Sequence, residues 1–244
     1  MKAMKSEIAH EVVSRAALTR VQTQGMYDLL ASYFEGVSPE QFAFDLAEKN
    51  WVILLMRGPR LVGFSTLLVY ETTFEQEPLS VVYSGDTIVA PEAWGSMALP
   101  RIWIASINQL RKVFPRGRYY WLLLTSGFRT YRFLPVFWRE FYPRFDYPTP
   151  RNPKALLDHL ARERFGTQYD SQLGIVRFAH PQQLRGEMNQ IPKARMTDPH
   201  VVFFSHRNTG YGRGDELVCL TELASANLTA AGHRMVDSKL LCIP

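Results

Sequence analysis

The sequence of 244 residues is poor in cysteine and has no apolar run long enough to cross a membrane. Its two cysteines, Cys219 and Cys242, are too few for a disulfide scaffold or a zinc site. Apolar runs such as WVILLM, which begins at Trp51, are far shorter than a bilayer-spanning helix requires. The first residues carry charges without an apolar segment, so no signal peptide is expected. These absences predict a cytoplasmic protein that does not bind membranes.

Signatures of several enzyme classes and of nucleic-acid-binding proteins are also absent. The chain contains neither the Gly-x-Ser-x-Gly elbow of a serine hydrolase nor a Walker loop. Its six histidines are scattered, and no metal site is predicted. A formal charge of +5 suits an anionic partner, although ordinary surface charge explains it equally. Arginines alternate with aromatic residues over 129–145, but no known nucleic-acid-binding motif accompanies them. Nucleic acid is therefore not the expected partner.

The residues that are present predict a folded domain with a mixed sheet. Apolar residues make up 46% of the chain, which is enough to bury a sizeable core. Hydrophobic patterning gives the element order β-α-α-β-β-β-α-β-α as far as residue 146. Thr19 and Ser38 are expected to cap the first two helices. Three consecutive strands predict an antiparallel meander, and the helix after them makes the fourth and fifth strands parallel by a right-handed crossover.

The predicted elements divide into a core at 11–146 and a C-terminal extension at 147–244. The proline-rich segment YPTPRNP separates the two. We expect the extension to pack on the core, to contribute a last strand and to help form the acceptor side or a homodimer interface. In the core, we predict a first strand at 11–18 and a helix at 129–142 that is interrupted by Pro135. In the extension, we predict helices at 153–166 and 198–208 and strands at 171–181 and 215–223.

One turn, VAPEAWGSMALPR from Val89 to Arg101, links the predicted fourth strand to the following helix. A helix that starts directly after a strand offers free N–H groups and the positive end of its dipole to an anion. Phosphate-binding turns usually contain two or three glycines, whereas this turn contains only Gly95. The sequence therefore leaves two interpretations, an altered phosphate-binding loop or a simple strand–helix turn.

The residues of this turn, with YSGDT just before it, resemble the GCN5-related N-acetyltransferase superfamily. In that superfamily the fourth strand commonly ends in Val-x-Pro-x-x-Arg-Gly, and here Val89, Pro91 and Gly95 stand at the matching positions. The resemblance implies an α/β (α+β) fold, with a mostly antiparallel mixed sheet in which strands 4 and 5 are parallel and splayed. It also implies an N-acyltransferase that uses acetyl-CoA or another acyl-CoA and acts on an amine of a small molecule or protein.

The turn also departs from the family pattern. Trp94 stands where the family has arginine or glutamine, Met97 replaces a glycine, and Leu99 replaces a small residue. The lost arginine removes a charge-assisted phosphate contact, and the lost glycine adds bulk. Two alternatives stay open on this ground. In the first, an acyl carrier protein replaces acyl-CoA as the acyl donor. In the second, the protein is a non-catalytic ligand-binding member of the fold.

The resemblance also implies roles for particular residues. The backbones of Ile88 and Val89 would bind the pantetheine arm and polarise the thioester carbonyl. The candidate base is Asp86 on the fourth strand, and the candidate acids are tyrosines, because Trp138 stands nearest to the family's tyrosine position. The candidate catalytic residues are Asp86, Tyr83, Tyr131 and Tyr142. The candidate cofactor-binding residues are Ile88, Val89, Trp94, Gly95, Ser96, Met97 and Ala98.

Overall fold

The computed structural model describes residues 7–236, so Cys242 lies outside the described part of the chain. Its centre is an eight-stranded sheet in the order β1-β2-β3-β4-β5-β8-β7-β6. The strands are β1 (Ala9–Ser14), β2 (Trp51–Arg57), β3 (Arg60–Phe74), β4 (Glu77–Val89), β5 (Arg118–Thr125), β6 (Tyr169–Asp170), β7 (Ile175–Val176) and β8 (Glu216–Glu222). A separate two-stranded ribbon pairs Phe34–Glu35 with Gln183–Leu184.

Eight α-helices lie among residues 7–236, several of them short. They are α1 (Arg20–Tyr33), α2 (Pro39–Ala47), α3 (Ala98–Val113), α4 (Phe128–Tyr131), α5 (Phe133–Phe137), α6 (Arg151–Phe165), α7 (Pro199–Arg207) and α8 (Ala230–Val236). Thr19 and Ser38 cap α1 and α2 as predicted, since the hydroxyl of each accepts a hydrogen bond from the N–H three residues later. None of these helices is long and apolar enough to span a bilayer.

The sheet confirms the predicted fold class. Every pairing in it is antiparallel except that of β4 with β5, which are joined by α3. The parallel pairing runs from Leu79 opposite Arg118 to Ser84 opposite Leu123 and then stops, although β4 continues to Val89. The predicted separation of the two strands therefore begins after Ser84, five residues before β4 ends.

A β-bulge accounts for this early separation. Between β3 and β4 the register shifts, because Ser65 lies opposite Thr87 whereas Leu67 lies opposite Ser84. The additional residue on β4 falls at Gly85–Asp86. A bulge bends its strand and redirects its side chains, so β4 turns away from β5 at this point.

Strand β8 closes the other edge of β5. It pairs antiparallel along β5, from Leu217 opposite Thr125 to Glu222 opposite Tyr120. Buried side chains pack on both faces of the sheet. The face that carries Trp121 packs against Trp103 of α3, and the face that carries Tyr83 packs against Lys49 at the end of α2 and against α6. The chain after residue 147 thus supplies both a strand of the central sheet and a helix that covers it.

Three predicted elements have different bounds in the structure. The first strand lies at Ala9–Ser14 and gives way to a 3-10 turn, rather than running over 11–18. The helix predicted at 129–142 is split into α4 and α5 and ends at Phe137, because Trp138 and Tyr142 form extended bridges with Leu228 and Leu220. The strand predicted at 171–181 is reduced to Ile175–Val176, because a turn at Gly174, whose φ is +68°, reverses the chain.

Candidate active site

A large cavity opens where β4 and β5 separate. Its volume is about 930 Å³, and residues from both strands, from the turn after β4 and from the first residue of β8 line it. Trp103 of α3 and Trp121 of β5 pack together there with ring centroids 4.2 Å apart. The Trp121 indole N–H donates to the Ser84 hydroxyl at 2.9 Å. This bond ties the two strands together at the last residue before they part.

The bulge on β4 presents Asp86 to this cavity beside a buried lysine. A Cβ atom at Gly85 would lie 2.5 Å from Cε of Lys49, so only glycine leaves room for the lysine side chain. Lys49 is 5% exposed, and its ammonium donates to the Asp45 carbonyl at 2.8 Å. Burial raises the pKa of Asp86 to about 6, and the Lys49 charge opposes that rise. Asp86 and Lys49 therefore form a partly compensated charge pair.

Glu216, the first residue of β8, lines the same cavity and has no compensating cation. No lysine, arginine or histidine within residues 7–236 forms an ion pair with its carboxyl group. Burial, together with the smaller effect of the Asp86 charge, raises its pKa to about 8. Asp86 thus ionises before Glu216. A carboxyl group that titrates near neutral pH in a cavity has the protonation behaviour of a general base or acid.

Tyr83 lies beside Glu216 and is held by an arginine. The Arg164 guanidinium of α6 lies 4.0 Å from the centre of the Tyr83 ring and pairs with Glu48 at 2.6 Å. Burial, followed by the Glu216 charge, raises the pKa of Tyr83 well above its ordinary range. Its hydroxyl consequently stays protonated throughout the neutral pH range.

The turn after β4 has a rigid and exposed tryptophan. The Trp94 indole N–H donates to the Val89 carbonyl at 2.7 Å, which fixes the ring against the end of the strand. The Arg129 guanidinium stacks on this ring at 3.9 Å from its centre. At Gly95 an added Cβ would meet no atom within 4 Å, and this glycine is not in the left-handed region. Open space, and not backbone strain, therefore distinguishes this position.

The start of α3 offers fewer N–H donors than an ordinary helix. Pro100 has none, and the N–H of Ala98 donates to the Ser96 hydroxyl at 3.0 Å. In the described part of the chain, three N–H groups around this turn have no acceptor, those of Gly95, Met97 and Leu99. Three such donors can bind one phosphate group.

The structure brings some of the sequence-predicted residues together and leaves others apart. Asp86 and Tyr83 line the cavity, as do Ile88, Val89, Trp94, Ser96, Met97 and Ala98, while Gly95 lies between cavity-lining neighbours. Tyr131 is fully buried elsewhere, and its hydroxyl donates to the Pro143 carbonyl at 2.9 Å. Tyr142 forms a bridge with Leu220 and does not line the cavity. Neither of these two tyrosines lines the cavity that Asp86 faces.

Three site residues, Lys49, Arg164 and Glu216, were not predicted from the sequence. Each lies next to an element end, and no motif surrounds any of them. Only the packing of α2, α6 and β8 around the bulge brings them together. Within residues 7–236, no group of three or more potential metal-ligating side chains comes together.

No family model matches the chain, and no curated protein matches it in sequence. Similar solved structures include an aminoglycoside acetyltransferase from an uncultured soil metagenomic sample, which is 18% identical over 47% of this chain and 76% of its own, with a TM-score of 0.34. An acyl-CoA N-acyltransferase from Pseudomonas aeruginosa is 15% identical over 48% and 79%, also with a TM-score of 0.34. A probable N-acyltransferase from Enterococcus faecalis V583 is 11% identical over 90% and 67%, with a TM-score of 0.42.

These similarities are weak, so the fold assignment rests on the topology of the chain itself. The meander, the crossover helix and the separation of the parallel pair are all present. In its strand order and in the parallel pair that parts at Ser84, the chain resembles the GCN5-related N-acetyltransferases in fold.

Proposed function

We propose that the protein is an N-acyltransferase that moves an acetyl or other acyl group from an acyl-CoA thioester to an amine of a small molecule or a protein. One observation carries the proposal: a single cavity joins the gap between β4 and β5 to the unpaired carboxyl group of Glu216. The acyl thioester supplies an electrophilic carbonyl carbon and a thiolate leaving group when it is bound. The residues of the chain supply its binding and the proton transfers.

On the donor side, the gap after Ser84 leaves β4 without a partner along Asp86–Val89 on the side of β5. An extended pantetheine arm fits such a gap, because its amides can pair with a free strand edge. The unpaired N–H groups of the turn lie at the end of the same strand and can bind a phosphate of the donor. The cavity volume of about 930 Å³ accommodates the arm, the acyl group and an acceptor.

On the acceptor side, Glu216 is proposed as the base. An amine arrives as an ammonium ion and must lose a proton before its nitrogen can attack the carbonyl carbon. With a pKa near 8, the Glu216 carboxylate is a stronger base than an ordinary glutamate. The ionised Asp86, whose charge Lys49 offsets only in part, makes this end of the cavity favourable for a cation. Asp86, the base predicted from the sequence, takes a positioning role here.

Tyr83 is the proposed acid. As the carbon–nitrogen bond forms and the carbon–sulfur bond breaks, the nitrogen must lose a second proton and the departing thiolate must gain one. A proton relay between the two atoms satisfies both. Tyr83 lines the same cavity, so its hydroxyl can pass a proton from the nitrogen to the sulfur. Arg164 lies against its ring and keeps the side chain in place.

The experiment is to incubate the protein with acetyl-CoA and a panel of primary amines, including alkylamines, diamines and a lysine peptide. Released thiol is followed continuously, and the amide is identified by mass spectrometry. The Glu216→Gln variant is expected to lose about 100-fold in rate, a typical contribution of a general base. Glu222→Gln is the matched control, because it makes the same change on the same strand outside the cavity.

Binding of the acyl donor can be measured without an acceptor. A saturating acyl-CoA is expected to raise the melting temperature, since a ligand that binds only the folded state at about 100 times its Kd adds about 2.7 kcal/mol of stability. Absence of this shift with acyl-CoA and with a loaded acyl carrier protein, together with absence of product, would favour a non-catalytic ligand-binding protein. Full activity of Glu216→Gln would instead remove Glu216 from the mechanism and leave acyl transfer standing.

A further inference from the structure

The rim of the cavity at the turn after β4 carries arginines that have no carboxylate partners. Arg129 lines the cavity, and Arg195 nearby is exposed. Burial and, to a smaller extent, the charge of Arg195 lower the pKa of Arg129. Lys193, also exposed, belongs to the same 3-10 turn as Arg195. None of these three side chains forms an ion pair within residues 7–236, whereas the neighbouring Arg132 pairs with Asp198 at 2.8 Å. The rim therefore presents uncompensated positive charge.

Large apolar side chains are exposed among these charges. Trp94 is 42% exposed and Met97 is 43% exposed, both in the turn itself. Val136 on α5 lines the cavity and is also exposed, and Met196 follows Arg195 directly. Tryptophan, methionine and arginine are the residue types enriched in protein–protein interfaces. Because Trp94 is fixed by the Val89 carbonyl and by Arg129, little of its freedom is lost when a partner covers it.

The N–H donors of the turn suit a donor with one phosphate better than a donor with a pyrophosphate. Pro100 and the Ser96 cap remove two donors from the start of α3, and the three that remain match a single phosphate group. A phosphopantetheine arm attached to a protein serine carries one phosphodiester. Free CoA carries a pyrophosphate and a further phosphate on its ribose, so the N–H groups of this turn match only part of its charge.

From the rim and the turn together, we propose that the surface formed by Trp94, Met97, Arg129, Val136, Lys193, Arg195 and Met196 is the docking site of an acidic acyl carrier protein. The carrier places its arm into the gap between β4 and β5, and its acidic surface meets the unpaired arginines. The inference rests on the acyl transfer of the proposed function, and it replaces acyl-CoA by a carrier-bound acyl group as the donor to the same cavity. Electrostatic complementarity of this kind accelerates association and is weakened by salt.

The experiment measures binding of a purified acyl carrier protein in its apo form, without the arm, and in its holo form. The rim variant is Arg129→Gln/Arg195→Gln. The control variant is Arg116→Gln/Arg185→Gln, which removes the same charge from exposed positions outside the cavity. Melting curves of all variants confirm that they are folded, and acetyl-CoA binding is measured in parallel.

The apo carrier is expected to bind the wild type with a Kd below about 0.1 mM at low salt. The rim variant is expected to bind it at least tenfold more weakly, and the control variant is expected to bind it as the wild type does. Holo carrier should bind more tightly than apo carrier, because its arm enters the cavity.

Two results would overturn the docking site. The first is acetyl-CoA binding without binding of either carrier form, which leaves the proposed function intact. The second is an equal loss of carrier binding in the rim and control variants, which indicates only a general charge attraction. Rim-dependent carrier binding without acyl transfer from any donor would support the docking site and contradict the proposed function.

Discussion

Replacing Glu216 by glutamine tests the electrostatics of the site without requiring a substrate. The pKa of this carboxyl group is raised from its ordinary value of 4.5 to about 8, first by burial and then by the charge of Asp86. Glutamine has nearly the same shape and cannot ionise. The comparison of wild type and Glu216→Gln across the pH range therefore isolates the cost of ionising this one group inside the cavity.

The sign of the effect follows from proton binding. Between pH 4.5 and about 8 the folded chain holds a proton on Glu216 that the unfolded chain has released. The folded state accordingly loses stability as the pH rises through this window, and the loss levels off above the folded pKa. The steepest slope is about 1.4 kcal/mol per pH unit. Because Glu216 is only partly buried and faces a water-accessible cavity, we expect a total near 2 kcal/mol and not the full linkage value.

The assay is urea denaturation of wild type, Glu216→Gln and the control Glu222→Gln at pH 5 to 9. Glu222 accepts a hydrogen bond from Arg118 Nε at 2.9 Å near the sheet surface, so its replacement should cost less than about 1 kcal/mol at any pH. Glu216→Gln should match the wild type at pH 5 and exceed its stability at pH 9. Parallel stability curves for wild type and Glu216→Gln would refute the raised pKa and, with it, the assignment of Glu216 as base.

Three further predictions test other parts of the site. Lys49→Met removes the buried cation beside Asp86 and should cost about 3 kcal/mol of stability in urea denaturation, whereas a neutral result would show that the pair is not coupled. Ser84→Ala leaves the buried Trp121 N–H without its acceptor and should cost about 1–3 kcal/mol, which the same measurement checks against wild type. Gly95→Val should leave the melting temperature unchanged and weaken the binding of phosphopantetheine about tenfold in calorimetry, and unchanged affinity would show that the turn holds no phosphate.

The sequence predicted a feature correctly where the residues that form it lie close together along the chain. The caps at Thr19 and Ser38 depend on residues three positions apart, and both are confirmed. The parallel pairing of β4 and β5 was predicted because a single helix joins the two strands. Element order thus determined the topology up to β5.

The features missed from the sequence depend on contacts between distant segments. The bulge at Gly85–Asp86 arises from the register with β3, and the pattern of β4 alone does not reveal it. The glycine is required because Lys49, from the end of α2, lies over it. Glu216 reaches the cavity because β8 pairs with β5, and neither strand contains a motif that specifies this pairing.

The expected role of Gly95 illustrates a different limit. A glycine between strand and helix is compatible with a left-handed backbone or with a need for open space, and here φ lies outside the left-handed region while the surroundings are open. The usefulness of a glycine here is the absence of a side chain, not its conformational freedom. Sequence alone does not distinguish these two reasons for a glycine.

The pairing of β5 with β8 has a consequence for how the protein is synthesised. Strands β1 to β5 emerge from the ribosome as a continuous series, but β8 follows β5 by several seconds at typical rates of about 5–20 residues per second. Until then the nascent sheet exposes the hydrogen-bonding edge of β5, which other chains can pair with unless a chaperone covers it. The residues of β4 and β5 that form the gap are translated before Glu216, so the growing chain acquires this carboxyl group and covers the free edge of β5 in the same late step.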